Sequence, residues 1–130
     1  SEPVRRTLTQ LLVNQIEGLR RYQSETGMWH TLIDDADSYE ETSASCGFAY
    51  GILRAVHTGL IGREYEPIAW RALRPVLEHI AGDGVVRQVS YGTAMGRESL
   101  DFYRNIPLKP MPYGQALAML FLIECLEIEA

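Results

Sequence analysis

Two stretches of this 130-residue chain are apolar on nearly every helical face, and they limit the fold more than any other feature. Residues 40 to 58 run, after Glu41, through Ala44, Cys46, Phe48, Ala49, Tyr50, Ile52, Leu53, Ala55 and Val56, with only Arg54 and His57 as large polar interruptions. Residues 112 to 127, PYGQALAMLFLIECLE, have no polar face before Glu124. Helices of this kind must be covered on all sides. Residues 4 to 22 and 64 to 81 are amphipathic instead: Leu8, Leu11, Leu12, Ile16, Leu19 and Tyr22 recur at helical spacing in the first, Ile68, Ala69, Ala72, Leu73, Val76, Leu77 and Ile80 in the second. The predicted order is outer, inner, outer, inner. Two one-faced helices cannot cover two all-round apolar ones, so the chain either pairs with a second copy or belongs to a larger ring of helix pairs.

The connections alternate as well. Helix two passes to helix three through a short Gly-marked turn, whereas each passage from an outer to an inner helix is long and carries an extended piece, GMWHTLID or GVVRQVSYGT. Gly27 and Gly84 open these pieces, each about two dozen residues past a helix start, which suggests an internal duplication. Functional loops then gather where the inner helices begin. Pro67 suits the first turn of helix three, and Pro75 should bend it.

The formal net charge of −5 provides no basic stripe for a phosphate backbone, which excludes nucleic acid as a partner. The longest apolar run, residues 116 to 123, is well short of the roughly 18 residues a membrane span needs. Cys46 and Cys125 lie in apolar helical stretches without C-x-x-C spacing, so buried reduced thiols and a cytoplasmic setting are expected. The chain opens on Ser1 rather than Met, so a missing leader carries no information.

The polar collar GMWHTLIDDADSYEETSAS precedes helix two. Ser38 with Glu41 reads as a capping box. Thr42, Ser43 and Ser45 follow in the first turn, where a positive helix end could hold a carboxylate or sugar hydroxyls. Asp34, Asp35 and Asp37 read as a solvated turn, and His30, His57 and His79 as structural or surface residues, since no pair has metal-ligand spacing. Trp29 is either a core plug or a sugar-stacking platform. Tyr91, Tyr113 and Gln115 stand before or at the start of helix four, and aromatic rings beside hydrogen-bonding groups suit carbohydrate. No phosphate-binding, dinucleotide or serine-nucleophile motif is present, and no cofactor or metal is implied.

The pieces GMWHTLIDDADSYEETSASCGFAYGI, SYGTAMG with DFYRNIPL behind it, and PYGQALAMLFLIEC resemble glycoside hydrolase family 105, the unsaturated rhamnogalacturonyl hydrolases, and more distantly the unsaturated glucuronyl hydrolases of family 88. The resemblance implies an all-α fold of antiparallel helix pairs, part of an (α/α)6 toroid with alternating outer and inner helices, of which residues 1–130 form the C-terminal third. It implies lyase-generated oligosaccharides as substrate. An Asp protonates the enol ether of a terminal 4,5-unsaturated uronate, water adds, and the hemiketal collapses. That Asp falls outside this chain. Trp29, Glu41, Ser43, Ser45, Tyr91, Tyr113 and Gln115 then form one wall of the sugar pocket, completed by the rest of the toroid or a second copy. The alternative is a non-catalytic, self-associating helical module.

Overall fold

A computed structural model describes residues 1–96 and 98–129. Its elements are α1 (Glu2–Tyr22), α2 (Thr42–His57), a 3-10 turn (Arg63–Tyr65), α3 (Glu66–Glu78), the short α4 (Asp101–Arg104) and α5 (Pro112–Glu129). Among the described residues, extended structure is limited to three isolated bridges, His30 with Glu40, Ile80 with Val86 and Ser90 with Leu108. The four long helices lie where periodicity placed them. Helix three stops at Glu78 rather than at residue 81, because His79 and Ala81 pair with Arg87 and Val85 through main-chain hydrogen bonds of 2.9 Å each. Pro75 is accommodated within α3, near its end.

Helix α2 is the centre of the fold, packed against both α3 and α5, with Cys46, Ala49, Ile52 and Leu53 fully buried. Helix α1 meets the Gly47, Phe48, Gly51 and Ile52 side of α2 through Leu12, Ile16 and Leu19. The two inner helices run parallel. Their starts converge on Ser90, which contacts both Glu41 and Tyr113, while at their far ends Arg54 and His57 of α2 lie 3.6 and 3.2 Å from Glu124 of α5.

Coverage is incomplete in two places, and the second is the one the sequence anticipated. Of the α1 stripe, Leu8 and Leu11 are exposed and burial is confined to Ile16 and Leu19. Helix α5 buries Ala118, Phe121, Glu124 and Cys125 against α2 but leaves Met119, Leu120, Ile123 and Leu126 open to solvent. An apolar helix needs neighbours on every side, and this chain supplies them on one.

The duplication is visible in the hydrogen bonds. Gly27 N donates to Ser24 O and Ser24 N to Met28 O; Gly84 N donates to Ala81 O and Ala81 N to Val85 O. Both glycines have positive φ, +104° and +85°, the left-handed region that such turns require. The second residue after each glycine is anchored to the fourth position of an inner helix: Trp29 N donates to Ser45 Oγ at 3.0 Å, and Val86 N to Gln115 Oε1 at 3.3 Å. Each half is thus an outer helix, a turn, an extended residue pinned to the next inner helix, and that helix.

Candidate functional site

The start of α2 is capped by Glu41 and not by Ser38. The Glu41 backbone is extended, and its carboxylate accepts from Ala44 N at 2.5 Å. Ser38 instead closes the preceding loop, accepting from Leu32 N at 3.2 Å and donating to Asp35 O at 2.8 Å. The Ser-to-Glu spacing of a capping box is present, but the helix begins three residues later than that pattern assumes. The Glu41 carboxylate is only 4% exposed and is held by two further donors, Ser43 Oγ at 2.9 Å and Ser90 N at 2.9 Å. One side chain thereby caps α2 and fastens the loop before α5 to it. Gln88 supports the same junction: it adopts φ +55°, accepts Thr42 N on its carbonyl and donates its amide to Glu40 O. A non-glycine residue in that region marks a backbone held by its surroundings.

Above this junction lies a cleft of ≈ 570 Å³. Its walls are His30 to Ile33 from the first loop, Glu41, Ser43, Ala44 and Phe48 from the start of α2, Ser90, Gly92 and Thr93 from the second loop, Tyr103 of α4 and Tyr113 of α5. The cleft lies at the end where both inner helices begin, as the connection lengths indicated.

Of the residues singled out in the sequence, Glu41, Ser43 and Tyr113 line the cleft. Trp29 does not: it is fully buried, donates Nε1–H to Leu19 O at 2.8 Å, and reaches the cleft only through Phe48, whose ring meets it edge-on at 5.5 Å. Ser45 is buried on the Trp29 amide, and Gln115 is taken up by Val86 N and Gly84 O. None of these three lines the cleft, and their polar atoms are engaged inside the fold. Tyr91 is exposed beside the cleft with Lys109 Nζ 4.6 Å from its ring centroid. Tyr113 spends its hydroxyl on Ser90 O and Gly92 N. His30, Thr31, Phe48, Ser90, Thr93 and Tyr103 complete the lining. A fourth-position polar residue facing an extended residue in both halves was the available signal that Ser45 and Gln115 are structural.

Asp35 is not part of a free solvated turn. Arg104 binds it with Nε and Nη2, both at 2.7 Å, and Arg104 also takes Asp101 at 2.6 Å, so α4 and the Tyr103 wall are tethered to the first loop. The Arg104 hydrogen bond holds the Asp35 carboxyl below its ordinary value of 3.8, against a smaller opposing effect of burial. A lowered folded-state value means that the tether is at full strength above the ordinary value and is lost as pH falls through the lower one. Protection of the Tyr103 and Arg104 amides, measured against the intrinsic exchange rate, is therefore expected to fall on acidification below about pH 4, before the Ile52 and Phe121 amides lose theirs. Protection of α4 unchanged from neutral pH down to about pH 2 would contradict the tether.

Away from the cleft, Cys46 and Cys125 are buried, and burial, with the Glu41 charge adding, pushes the Cys46 thiol up to about 12, so it is an inert core group. His57, Glu124 and Glu127 converge at the opposite end of the inner helices, where the Arg54 guanidinium lies 3.6 and 3.5 Å from the two carboxylates and supplies one counter-charge for the pair. No helix among the described residues is long and apolar enough to cross a membrane.

Comparison with known proteins places this architecture. The chain is 37% identical over 117 residues to the unsaturated rhamnogalacturonyl hydrolase YesR of Bacillus subtilis, covering 89% of this chain and 32% of that protein. It superposes with a TM-score of 0.93 and 52% identity on the crystal structure of a possible GH105 family member from Salmonella enterica, covering 98% of this chain and 33% of that one. A second crystal structure of a possible GH105 family member, from Klebsiella pneumoniae, gives 0.94 and 48% over the whole chain and 34% of its own length. The chain thus spans about a third of the length of the proteins it matches, and its helices form part of an (α/α)6 toroid with α2 and α5 inside. The sequence profile of Glycosyl Hydrolase Family 88 matches residues 1–129, and the chain belongs to that family.

Proposed function

We propose that the chain is the C-terminal third of a cytoplasmic hydrolase that removes a terminal 4,5-unsaturated uronic acid from lyase-generated oligosaccharides, and that it supplies the sugar-binding wall and not the proton donor. The observation carrying this reading is the composition of the cleft. Its lining has hydroxyls, aromatic rings and one carboxylate, but no Asp from the 34–37 loop. The carboxylate, Glu41, is buried under three donors, and a group so held is poorly placed to pass a proton to substrate. The chain's residues therefore bind and orient, and the acid that protonates the enol ether comes from the remainder of the toroid. The exposed stripe of Met119, Leu120, Ile123 and Leu126 is where those further helices pack, with a second copy of the chain as the other candidate.

In a full-length protein carrying this segment, Ser43→Ala is expected to raise KM with kcat little changed. The loss is about 0.5–1.5 kcal/mol, that of one neutral hydrogen bond made equally in ground and transition states. The readout is the decay of the unsaturated uronate's ultraviolet absorbance. A collapse of kcat at unchanged KM would assign Ser43 to the chemical step and overturn the division of roles.

A further inference from the structure

We propose that His57, Glu124 and Glu127 bind a divalent transition-metal ion, zinc by their ligand chemistry, which ties the far ends of the two inner helices together. The site is independent of the sugar-cleft reading and lies at the other end of α2 and α5. His57 Nδ1 is 3.2 Å from Glu124 Oε1 and 4.0 Å from Glu127 Oε2, and the three groups present ligand atoms within 4.8 Å of one another. Ligands of one tetrahedral zinc, at bonds of about 2.1 Å, stand about 3.4 Å apart. Small side-chain adjustments bring the three onto one ion. What separates this cluster from an ordinary patch of surface acids is Glu124, which is 3% exposed and whose Oε1 has no hydrogen-bond partner among the described residues. His57 Nδ1 is near enough to donate, yet no hydrogen bond joins the two. A buried carboxylate oxygen without a donor is strongly unfavourable, and a coordinated cation satisfies it.

Charge points the same way. Arg54 approaches Glu124 through Oε2, the oxygen other than the one nearest His57, and one guanidinium balances only one of the two carboxylates. A further positive charge is called for. Both carboxylates also stand toward the end of α5, beside the end of the parallel α2, where two helix dipoles present their negative ends and favour a cation. An imidazole nitrogen with carboxylate oxygens suits zinc, whereas calcium and magnesium take oxygen ligands. His57 and Glu127 line a pocket of ≈ 260 Å³, which gives the ion a way in and leaves room for water as a fourth ligand. Histidine spacing in the sequence gives no hint of the site, because its ligands come from two helices brought together by packing.

The test is a calorimetric titration of the chelator-stripped chain with zinc chloride at neutral pH, for the parent and for His57→Gln, Glu124→Gln and His79→Gln variants whose circular dichroism matches it. The parent is expected to bind one zinc with Kd below about 10 µM, His57→Gln and Glu124→Gln to bind at least about tenfold more weakly, and His79→Gln to bind as the parent does. The His57 side chain is 39% exposed, so its replacement spares the core and keeps the test decisive even where Glu124→Gln fails to fold. A parent Kd above about 10 µM, an unchanged Kd in His57→Gln, or an equal loss in His79→Gln would overturn the proposal.

Discussion

Trp29→Ala is expected to destabilise the chain by about 3–5 kcal/mol, the range for removing a large aromatic side chain from a packed core. Trp29 is fully buried, touches Phe48 edge-on and donates to Leu19 O, so its removal opens a cavity between α1 and α2 and leaves that carbonyl without its donor. Trp29→Phe keeps part of the volume and loses the hydrogen bond, and should fall between the two. Urea denaturation followed by circular dichroism gives the midpoints. A midpoint for Trp29→Ala within about 0.5 kcal/mol of the parent would return Trp29 to the surface role that the sequence left open.

The second large effect is expected at Gly27, and its counterpart in the duplication provides the control. A Cβ at Gly27 would stand 2.2 Å from Arg71 O, a helical backbone atom that cannot swing aside, and φ is +104°. Gln23 and Arg71 tie the same turn to α3, through Gln23 Nε2 to Ile68 O at 2.7 Å and Arg71 Nη2 to Ser24 O at 3.1 Å. Gly27→Ala should therefore cost about 3 kcal/mol or more, combining steric displacement with strain. Gly84 has φ +85° but nothing within 4 Å of an added Cβ, so Gly84→Ala should cost only the conformational term of about 1–2 kcal/mol. Equal losses at the two positions would mean that the turn's conformation, and not its docking on α3, dominates.

Gly27 and Gly84 also show what was legible in the sequence. Positive-φ turns before extended residues follow from residue type, and helix order follows from apolar periodicity, so the duplication and the end bearing the cleft could both be read from local pattern. The bare side of α5 could be read too, because one chain with two one-faced helices supplies too few neighbours for two all-round apolar ones. Leu8 and Leu11 are exposed for the same reason. The cap was misplaced because Ser38 and Glu41 satisfy a spacing rule that the tertiary contact of Glu41 with Ser90 overrides. The Asp35 to Arg104 tether joins residues far apart in sequence, and no local pattern announces it. Ser45, Gln115 and Trp29 have the residue types of a ligand site, yet their polar atoms meet the chain's own backbone.

The division of roles, binding in this chain and proton donation outside it, is tested most directly by one NMR titration of the labelled chain with an unsaturated uronyl oligosaccharide. The same sample reports amide shifts from the protein and the vinylic proton of the sugar's C4=C5 bond. The expected result is shifts at Thr31, Ser43, Ser90 and Thr93 with the vinylic resonance undiminished over hours. A vinylic signal that decays in the presence of the chain, and persists with an Asp35→Asn variant, would place the acid in this segment and contradict that division.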